Sequence, residues 1–136
     1  MDRSMVQAWL DRYRHAWETY DPAEIGSLFS ADAIYRYHPW DDGRDVMRGR
    51  ESIVASWVTP QGAASGRDTP GSYEARYEPF AVDGSRAVAV GSSTYWTDAT
   101  RAVVRDIYHN VFLLEFDADG RCRSFSELFA KQPSSV

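Results

Sequence analysis

An α+β fold is predicted for this chain, because helix-type patterns occupy its first half and strand-type runs its second half. Apolar residues recur at steps of three and four between Met5 and Tyr20, as they do in an amphipathic helix. After residue 72, runs rich in β-branched and aromatic residues alternate with short turns. Helices followed by a meander of strands favour a layer of helices packed on one face of a curved antiparallel sheet.

Three helices and one short strand are predicted before the meander. Ser4 is the expected N-cap of the first helix, and Asp21 precedes Pro22 at the start of the second. The helices are expected over residues 5–20, 22–29 and 48–58. The run 33–40 is rich in β-branched and aromatic residues, and Pro39 is expected to end it or to place it at a sheet edge.

The meander is predicted to contain four long strands, within a single domain that spans residues 1–136. The strands are expected over residues 72–82, 86–97, 102–116 and 121–130. Asp83-Gly84 and Asp119-Gly120 are hairpin turn signals between them. The Gly-, Pro- and Ser-rich segment 59–71 is expected to be a mobile loop, and residues 131–136 a frayed tail.

The charge balance argues against several classes of partner. Fifteen Lys and Arg stand against twenty Asp and Glu, which gives a formal net charge of −5. Nucleic acids and anionic lipids require a basic surface, so neither is expected as a partner. No apolar run resembles a signal peptide or a membrane span, and the single Cys122 fits a reducing compartment, so a cytoplasmic location is expected.

Aromatic residues are numerous for a core of this size, with five Trp, eight Tyr and six Phe. Aromatic and apolar side chains line most small-molecule pockets. The composition therefore favours a pocket for a small apolar molecule. The sequence contains no Gly-rich phosphate loop, Cys-His pair or serine-hydrolase elbow, and no cofactor is expected.

Several short motifs carry a more specific signal than the order of elements. They are S-A-D-A at 30–33, H-P at 38–39, G-R-E-S-I at 49–53, V-D-G at 82–84 and F-D-A-D-G-R at 116–121. Together they resemble the nuclear transport factor two-like superfamily, which holds SnoaL-like polyketide cyclases, ketosteroid isomerases and limonene epoxide hydrolases. The resemblance runs from about Met5 to Ala130. It implies a cone-shaped curved sheet wrapped around the helices, a pocket at the open end and a homodimer through the outer sheet face.

A comparison with the ketosteroid isomerases, residue by residue, shows departures at their functional positions. Their catalytic base is an Asp before a Pro, and this chain has His38 there. Their oxyanion hole pairs a Tyr with a protonated Asp, which correspond here to Tyr13 and Phe112. A pocket Tyr near the end of the third helix corresponds to Trp57. The resemblance therefore implies the fold and its pocket, while these departures argue against steroid isomerisation.

Strand parity sorts the side chains of the last two strands, since residues two apart share a face. By the resemblance, the set that faces the helices is Tyr108, Asn110, Phe112, Phe125, Glu127 and Phe129. A carboxylate buried among rings has a raised pKa and can act as a general acid or base, which makes Glu127 a candidate. His38 at the cavity mouth is a second titratable group, and the two form the predicted catalytic pair.

The residues expected to bind the substrate are Tyr13, Trp17, Trp40, Trp57, Tyr108, Asn110, Phe112, Phe125 and Phe129. Structural roles for the polar candidates stay open at this point. Glu127 could form an ion pair with Arg36 or Arg50, and His38 could bond only to the backbone. Asn110 could be a hydrogen-bonded polar group of the core.

The predicted function is that of a small-molecule pocket protein. One interpretation is an isomerase, cyclase or dehydratase that acts by proton transfer on a hydrophobic substrate. The other is a non-catalytic hydrophobic-ligand-binding protein or a dimeric scaffold. A metal site from His38, Asp41, Asp42 and Asp45 is not expected, because the acids lie in one turn without a second histidine at ligand spacing.

A homodimer is predicted from the strand 102–116, which is apolar on both faces. Ile107, Val111 and Leu113 lie opposite the face expected to pack on the helices, and would meet water in a monomer. A contiguous apolar patch of this kind marks an interface, and a two-fold axis closes it most simply.

Overall fold

The computed structural model describes residues 1–43, 46–58 and 69–133. The helices are α1 (Arg3–Thr19), α2 (Pro22–Ser27) and α3 (Arg50–Val58). The strands are β1 (Phe29–Arg36), β2 (Met47–Arg48), β3 (Tyr73–Asp83), β4 (Arg86–Trp96), β5 (Val104–Phe116) and β6 (Cys122–Lys131). The predicted α+β class is confirmed, since helices precede the long strands and pack on one face of their sheet.

Side-chain caps begin the first two helices. The N-cap of α1 is Asp2, whose Oδ1 accepts the backbone N–H of Met5 at 2.9 Å, so the expectation of Ser4 is corrected. Ser4 instead donates its hydroxyl to Asp2. Asp21 caps α2 as predicted, with Pro22 in the first turn, where a missing N–H costs nothing.

The sheet has six strands in the order β2-β1-β6-β5-β4-β3. The β3–β4, β4–β5 and β5–β6 pairs are antiparallel, as the meander predicts. β1 pairs with β6 in parallel, with Tyr35 opposite Phe125, so the expectation of a wholly antiparallel sheet is corrected. β1 also begins at Phe29 and ends at Arg36, earlier than the predicted run 33–40.

Aromatic rings fill the space between α1 and the sheet. Tyr13 of α1 stacks on Phe125 of β6 with ring centroids 5.4 Å apart, and meets Phe112 of β5 at 5.2 Å. Trp9, one turn earlier, donates its indole N–H to the carbonyl of Leu28 at 2.9 Å. The apolar face of α1 therefore packs on the concave face of the sheet through contacts between aromatic rings.

The end of the chain differs from its prediction as a frayed tail. Lys131 belongs to β6, and its Nζ contacts Asp106 at 2.6 Å. Gln132 continues the pairing, because its N–H donates to the carbonyl of Ile107 at 2.8 Å. Residues 134–136, and 59–68 of the predicted loop 59–71, lie outside the described residues. No helix in the described ranges has the length and apolar character needed to span a membrane.

Candidate functional site

A cavity of about 290 Å³ opens between α1, the residue after β1, and the strands β4, β5 and β6. Its aromatic lining consists of Trp17, Tyr37, Tyr95, Tyr108 and Phe129. Its polar lining consists of Ser93, Arg105, Asn110 and Glu127. The cavity thus combines ring surface with a small number of polar groups, as small-molecule sites do.

The register of the sheet brings the polar lining together. Asn110 of β5 lies opposite Phe129 of β6, and Phe112 lies opposite Glu127. Because residues two apart share a face, Asn110 and Glu127 are diagonal neighbours on the concave face. The deeper positions of the same strands hold Phe112 and Phe125, which are fully buried. The polar side chains therefore begin where the packed rings of the core end.

Hydrogen-bond donors on both neighbouring strands hold Glu127. The hydroxyl of Tyr35 donates to its Oε2 at 2.9 Å, and Nδ2 of Asn110 donates to its Oε1 at 3.4 Å. Ser93 donates to Oδ1 of Asn110 at 3.3 Å, which fixes the amide with its nitrogen towards Glu127. Both carboxylate oxygens therefore have a donor.

Burial keeps the phenols around Glu127 protonated. Desolvation raises the pKa of Tyr35 well above its ordinary value, and the nearby charge of Glu127 raises it further. The pKa of Tyr13 is raised for the same reasons, with Tyr35 and Glu127 adding to the effect of burial. Desolvation also raises the pKa of Tyr77 to about 12. Tyr35 is therefore an O–H donor to the carboxylate at any physiological pH.

Fixed charges stand at the rim of the cavity. Asp106 accepts from Lys131 at 2.6 Å and from Arg105 at 3.1 Å, and these contacts, led by Lys131, lower the pKa of the carboxyl. The guanidinium of Arg105 also lies over the ring of Tyr95, 5.3 Å from its centroid. The cation that lines the cavity is thus anchored by a carboxylate and an aromatic face.

His38 lies in the turn after β1 and is not in the cavity lining, although Glu127 is. Its Nδ1 contacts Asp41 at 3.1 Å, and its ring stacks on Trp40 at 4.8 Å. Asp41 also accepts the backbone N–H groups of Tyr37 and His38, so the carboxylate ties the turn together. The ring of His38 thus contacts a carboxylate, and not the backbone as the structural alternative for this residue assumed. Its catalytic pairing with Glu127 stays a prediction.

The residues predicted to bind substrate fall into three groups. Trp17, Tyr108, Asn110 and Phe129 line the cavity. Tyr13, Trp57, Phe112 and Phe125 are buried in the core behind it, and their contact with a substrate stays a prediction. Trp40 is 77% exposed on the turn and lies outside the lining.

Some cavity residues were missed by the sequence analysis. Ser93 and Tyr95 share the inward face of β4, which strand parity could have indicated. Tyr35 reaches Glu127 because β1 lies parallel to β6, and no local sequence signal predicts that pairing. Arg50 was expected as a possible partner of Glu127, and it donates to the carbonyl of Phe29 at 2.9 Å.

The residues that the structure describes form neither a metal-binding cluster nor a reactive thiol. No group of three or more His, Cys, Asp or Glu side chains in these ranges is placed to hold a metal ion. Asp45, one member of the acidic turn considered above, lies outside them. Burial raises the pKa of the Cys122 thiol to about 12, which keeps it protonated and unreactive.

A family model described as the SnoaL-like domain matches residues 10–125, most of the chain. The chain belongs to the SnoaL-like domain family. No curated protein matches this SnoaL-like domain. The resemblance found in the sequence motifs is thereby confirmed at the level of the family.

Solved structures resemble this SnoaL-like domain over nearly its full length. An NTF-2 like protein of unknown function from Burkholderia xenovorans LB400 has a TM-score of 0.67 at 16% identity, over 98% of this chain and 88% of that chain. A protein of unknown function with a cystatin-like fold from Methylobium petroleophilum PM1 has a TM-score of 0.62 at 18% identity, over 99% and 81%. A LEH-like epoxide hydrolase from M. tuberculosis has a TM-score of 0.60 at 12% identity, over 94% and 84%. At these identities the likeness shows the fold alone.

Proposed function

We propose that this SnoaL-like domain binds a small, largely aromatic or apolar molecule in the cavity and exchanges a proton with it through Glu127. The observation that carries the proposal is the half-buried carboxylate of Glu127, which accepts from Tyr35 and Asn110 at the edge of a ring-lined cavity. A carboxylate positioned by fixed donors against apolar walls is suited to general acid or base catalysis.

Proton transfer on a polar group of an apolar substrate describes isomerases, cyclases and dehydratases alike. All three need one group that removes or delivers a proton, and the proposal assigns that step to Glu127. Tyr35 and Asn110 act by holding the carboxylate, so they are positioning residues in this account. His38 remains a predicted second acid or base, for which a substrate would have to extend to the turn after β1.

The proposal is tested first by asking whether the cavity binds an aromatic molecule. Naphthalene is added to the full chain, and its affinity is measured by quenching of tryptophan fluorescence. Trp17→Ala removes a ring of the cavity lining, and is expected to weaken binding by about tenfold, as the loss of a buried aromatic contact does. Trp40→Ala is the matched control, because Trp40 is exposed outside the lining.

Equal effects of the two substitutions would contradict a binding site in this cavity. Binding that persists without any influence of Glu127 on its pH dependence would favour the non-catalytic interpretation. In that case the domain would be a ligand-binding protein or a dimeric scaffold.

A further inference from the structure

One buried donor next to the cavity has no hydrogen-bond partner among the described residues. Within the described residues, Nε1 of Trp57 is the single buried side-chain nitrogen or oxygen that makes no hydrogen bond. Trp57 is only 3% exposed, so bulk water does not satisfy the N–H. Native cores rarely leave such a group unpaired, because burial without a partner costs free energy.

Trp9 shows how the same side chain is accommodated elsewhere in this core. It is buried to the same degree, and its indole N–H donates to the carbonyl of Leu28 at 2.9 Å. Among the described residues, one buried indole is thus paired with the backbone and the other is unpaired. Burial of a tryptophan in this core therefore does not by itself leave its N–H without a hydrogen bond.

The rings that contact Trp57 do not satisfy its N–H. Tyr13 meets it edge to face at 5.6 Å, and Phe29 does so at 6.3 Å. The face of an aromatic ring accepts a hydrogen bond only weakly. Among the described residues, the N–H of Trp57 is surrounded by rings and makes no hydrogen bond.

Trp17 connects this donor to the cavity. Its ring stacks on Trp57 with centroids 4.2 Å apart and an angle of 21°, and it also lines the cavity. Trp57 is therefore one ring behind the cavity wall. Rotation of the Trp17 side chain would bring a molecule in the cavity against the ring of Trp57.

We propose that the indole N–H of Trp57 is a hydrogen-bond donor for the bound ligand. The ligand is then an aromatic or apolar molecule with a neutral acceptor atom, such as a ring nitrogen or an oxygen. This atom lies at the end of the ligand that is nearest to Trp57. This inference rests on the proposed binding function of the cavity and adds the acceptor to its ligand. Trp57 is a binding residue in this account and takes no part in proton transfer.

The test uses probes that share one shape and differ in one acceptor atom. Quinoline and isoquinoline carry a ring nitrogen where naphthalene carries a C–H, and all three are uncharged under mildly alkaline conditions. The full chain is labelled with ¹⁵N-tryptophan, and the indole N–H signal of Trp57 is identified by its loss in Trp57→Phe. Binding of quinoline or isoquinoline is expected to move that signal to higher frequency, as hydrogen bonding does, and naphthalene is expected not to. The N–H of Trp9, already bonded to Leu28, is the internal reference.

Affinities provide a second measurement. Trp57→Phe is expected to weaken binding of the nitrogen-containing probe by about threefold to tenfold and to leave naphthalene within about twofold, because only the former loses a hydrogen bond. If Trp57→Phe does not fold, the indole signal of Trp57 is assigned from its nuclear Overhauser contacts with the stacked ring of Trp17, and the spectra of the wild-type chain decide alone.

The outcomes separate this inference from the proposal on which it rests. Naphthalene binding in the cavity, with a Trp57 signal that neither nitrogen-containing probe moves, overturns the inference and leaves the binding function standing. A cross-peak between the Trp57 N–H and water that persists with the probe bound also overturns it, because an internal water is then the partner. Failure of all three probes to bind contradicts the binding function itself.

Discussion

Tyr35 shows how a single side chain joins the core to the site. Its ring stacks on Phe125 at 4.5 Å, while its hydroxyl donates to Glu127 at 2.9 Å. The apolar part of the residue is therefore buried with the core, and its polar end reaches the cavity carboxylate. Glu127 is positioned by a residue whose own rotamer is fixed by packing, which is the requirement for a defined proton-transfer geometry.

The raised pKa of Tyr35 predicts a dependence of stability on pH. Its folded pKa is above the unfolded value of about 10, so the stabilisation is complete below that pH and is lost as the pH rises towards the folded pKa. Tyr35→Phe is expected to lower the free energy of unfolding by about 1 kcal/mol at neutral pH, through loss of the hydrogen bond to Glu127. Above about pH 10 the variant is expected to lose stability less steeply than the wild type.

Urea unfolding at neutral and at alkaline pH measures both quantities. Tyr37→Phe, at a half-exposed phenol whose ring lies 5.5 Å from that of Tyr35, shows how much of the effect belongs to a neighbouring phenol. Parallel loss of stability in wild type and Tyr35→Phe above pH 10 would show that the phenol of Tyr35 does not remain protonated in the fold.

At the scale of elements, the sequence predicts what is local. Asp21-Pro22 predicts the start of α2, and the turn Asp83-Gly84 predicts the β3–β4 hairpin, because each signal lies within a few residues of the structure that it determines. The parallel pairing of β1 with β6 depends on contacts about 90 residues apart, as between Tyr35 and Phe125, and carries no local signal.

The same distinction explains which site residues could be predicted. Glu127 and Asn110 follow from the alternation of two adjacent strands, which places both on the concave face. The depth at which the cavity ends does not follow from alternation. Phe112 and Phe125 share that face and are fully buried in the core, because the rings of α1 fill the deeper part.

The β3–β4 pair contains a close approach that predicts the effect of a mutation. A Cβ added at Gly91 would lie 2.0 Å from the carbonyl oxygen of Arg76, a backbone atom that cannot turn away. Gly91→Ala is therefore expected to destabilise the domain by about 2 to 3 kcal/mol, through displacement of the strands. Gly26→Ala in α2 is the matched control, because its Cβ would meet only ordinary contacts, the nearest at 3.5 Å.

Thermal and urea unfolding of the two variants give the comparison. Gly26→Ala is expected to change stability by less than about 1 kcal/mol, and in the stabilising direction, since alanine favours a helix. A Gly91→Ala variant as stable as Gly26→Ala would mean that β3 and β4 separate at little cost.

At the scale of the whole molecule, we propose a homodimer through the outer sheet face. Val111 and Leu113 of β5 are 37% and 40% exposed there. Their cross-strand partners extend the apolar surface, because Val90 and Leu128 lie opposite Val111, and Val88 lies opposite Leu113. An antiparallel sheet whose outer face meets water usually carries polar side chains at such positions.

Substitution in the centre of this face tests the assembly. The wild-type chain is expected to sediment as a dimer, and Val111→Asp as a monomer, because the charge would be buried against its own symmetry mate. Met5→Asp is the control, since Met5 is equally a large exposed apolar residue but belongs to α1. Sedimentation of the wild type at the monomer mass at micromolar concentration would contradict the dimer.

The most direct test of a proton-exchanging cavity is the pH dependence of ligand affinity, with and without the carboxylate of Glu127. The affinity of the full chain for 2-naphthol, an aromatic hydrogen-bond donor, is measured between about pH 4 and pH 8, a range in which carboxyl groups titrate. The wild type is expected to bind more tightly as Glu127 ionises, and Glu127→Gln to bind with an affinity that does not vary with pH. Glu51→Gln, an exposed position on α3, is expected to behave as the wild type. The same pH dependence in Glu127→Gln as in the wild type would contradict the assignment of proton exchange to this residue.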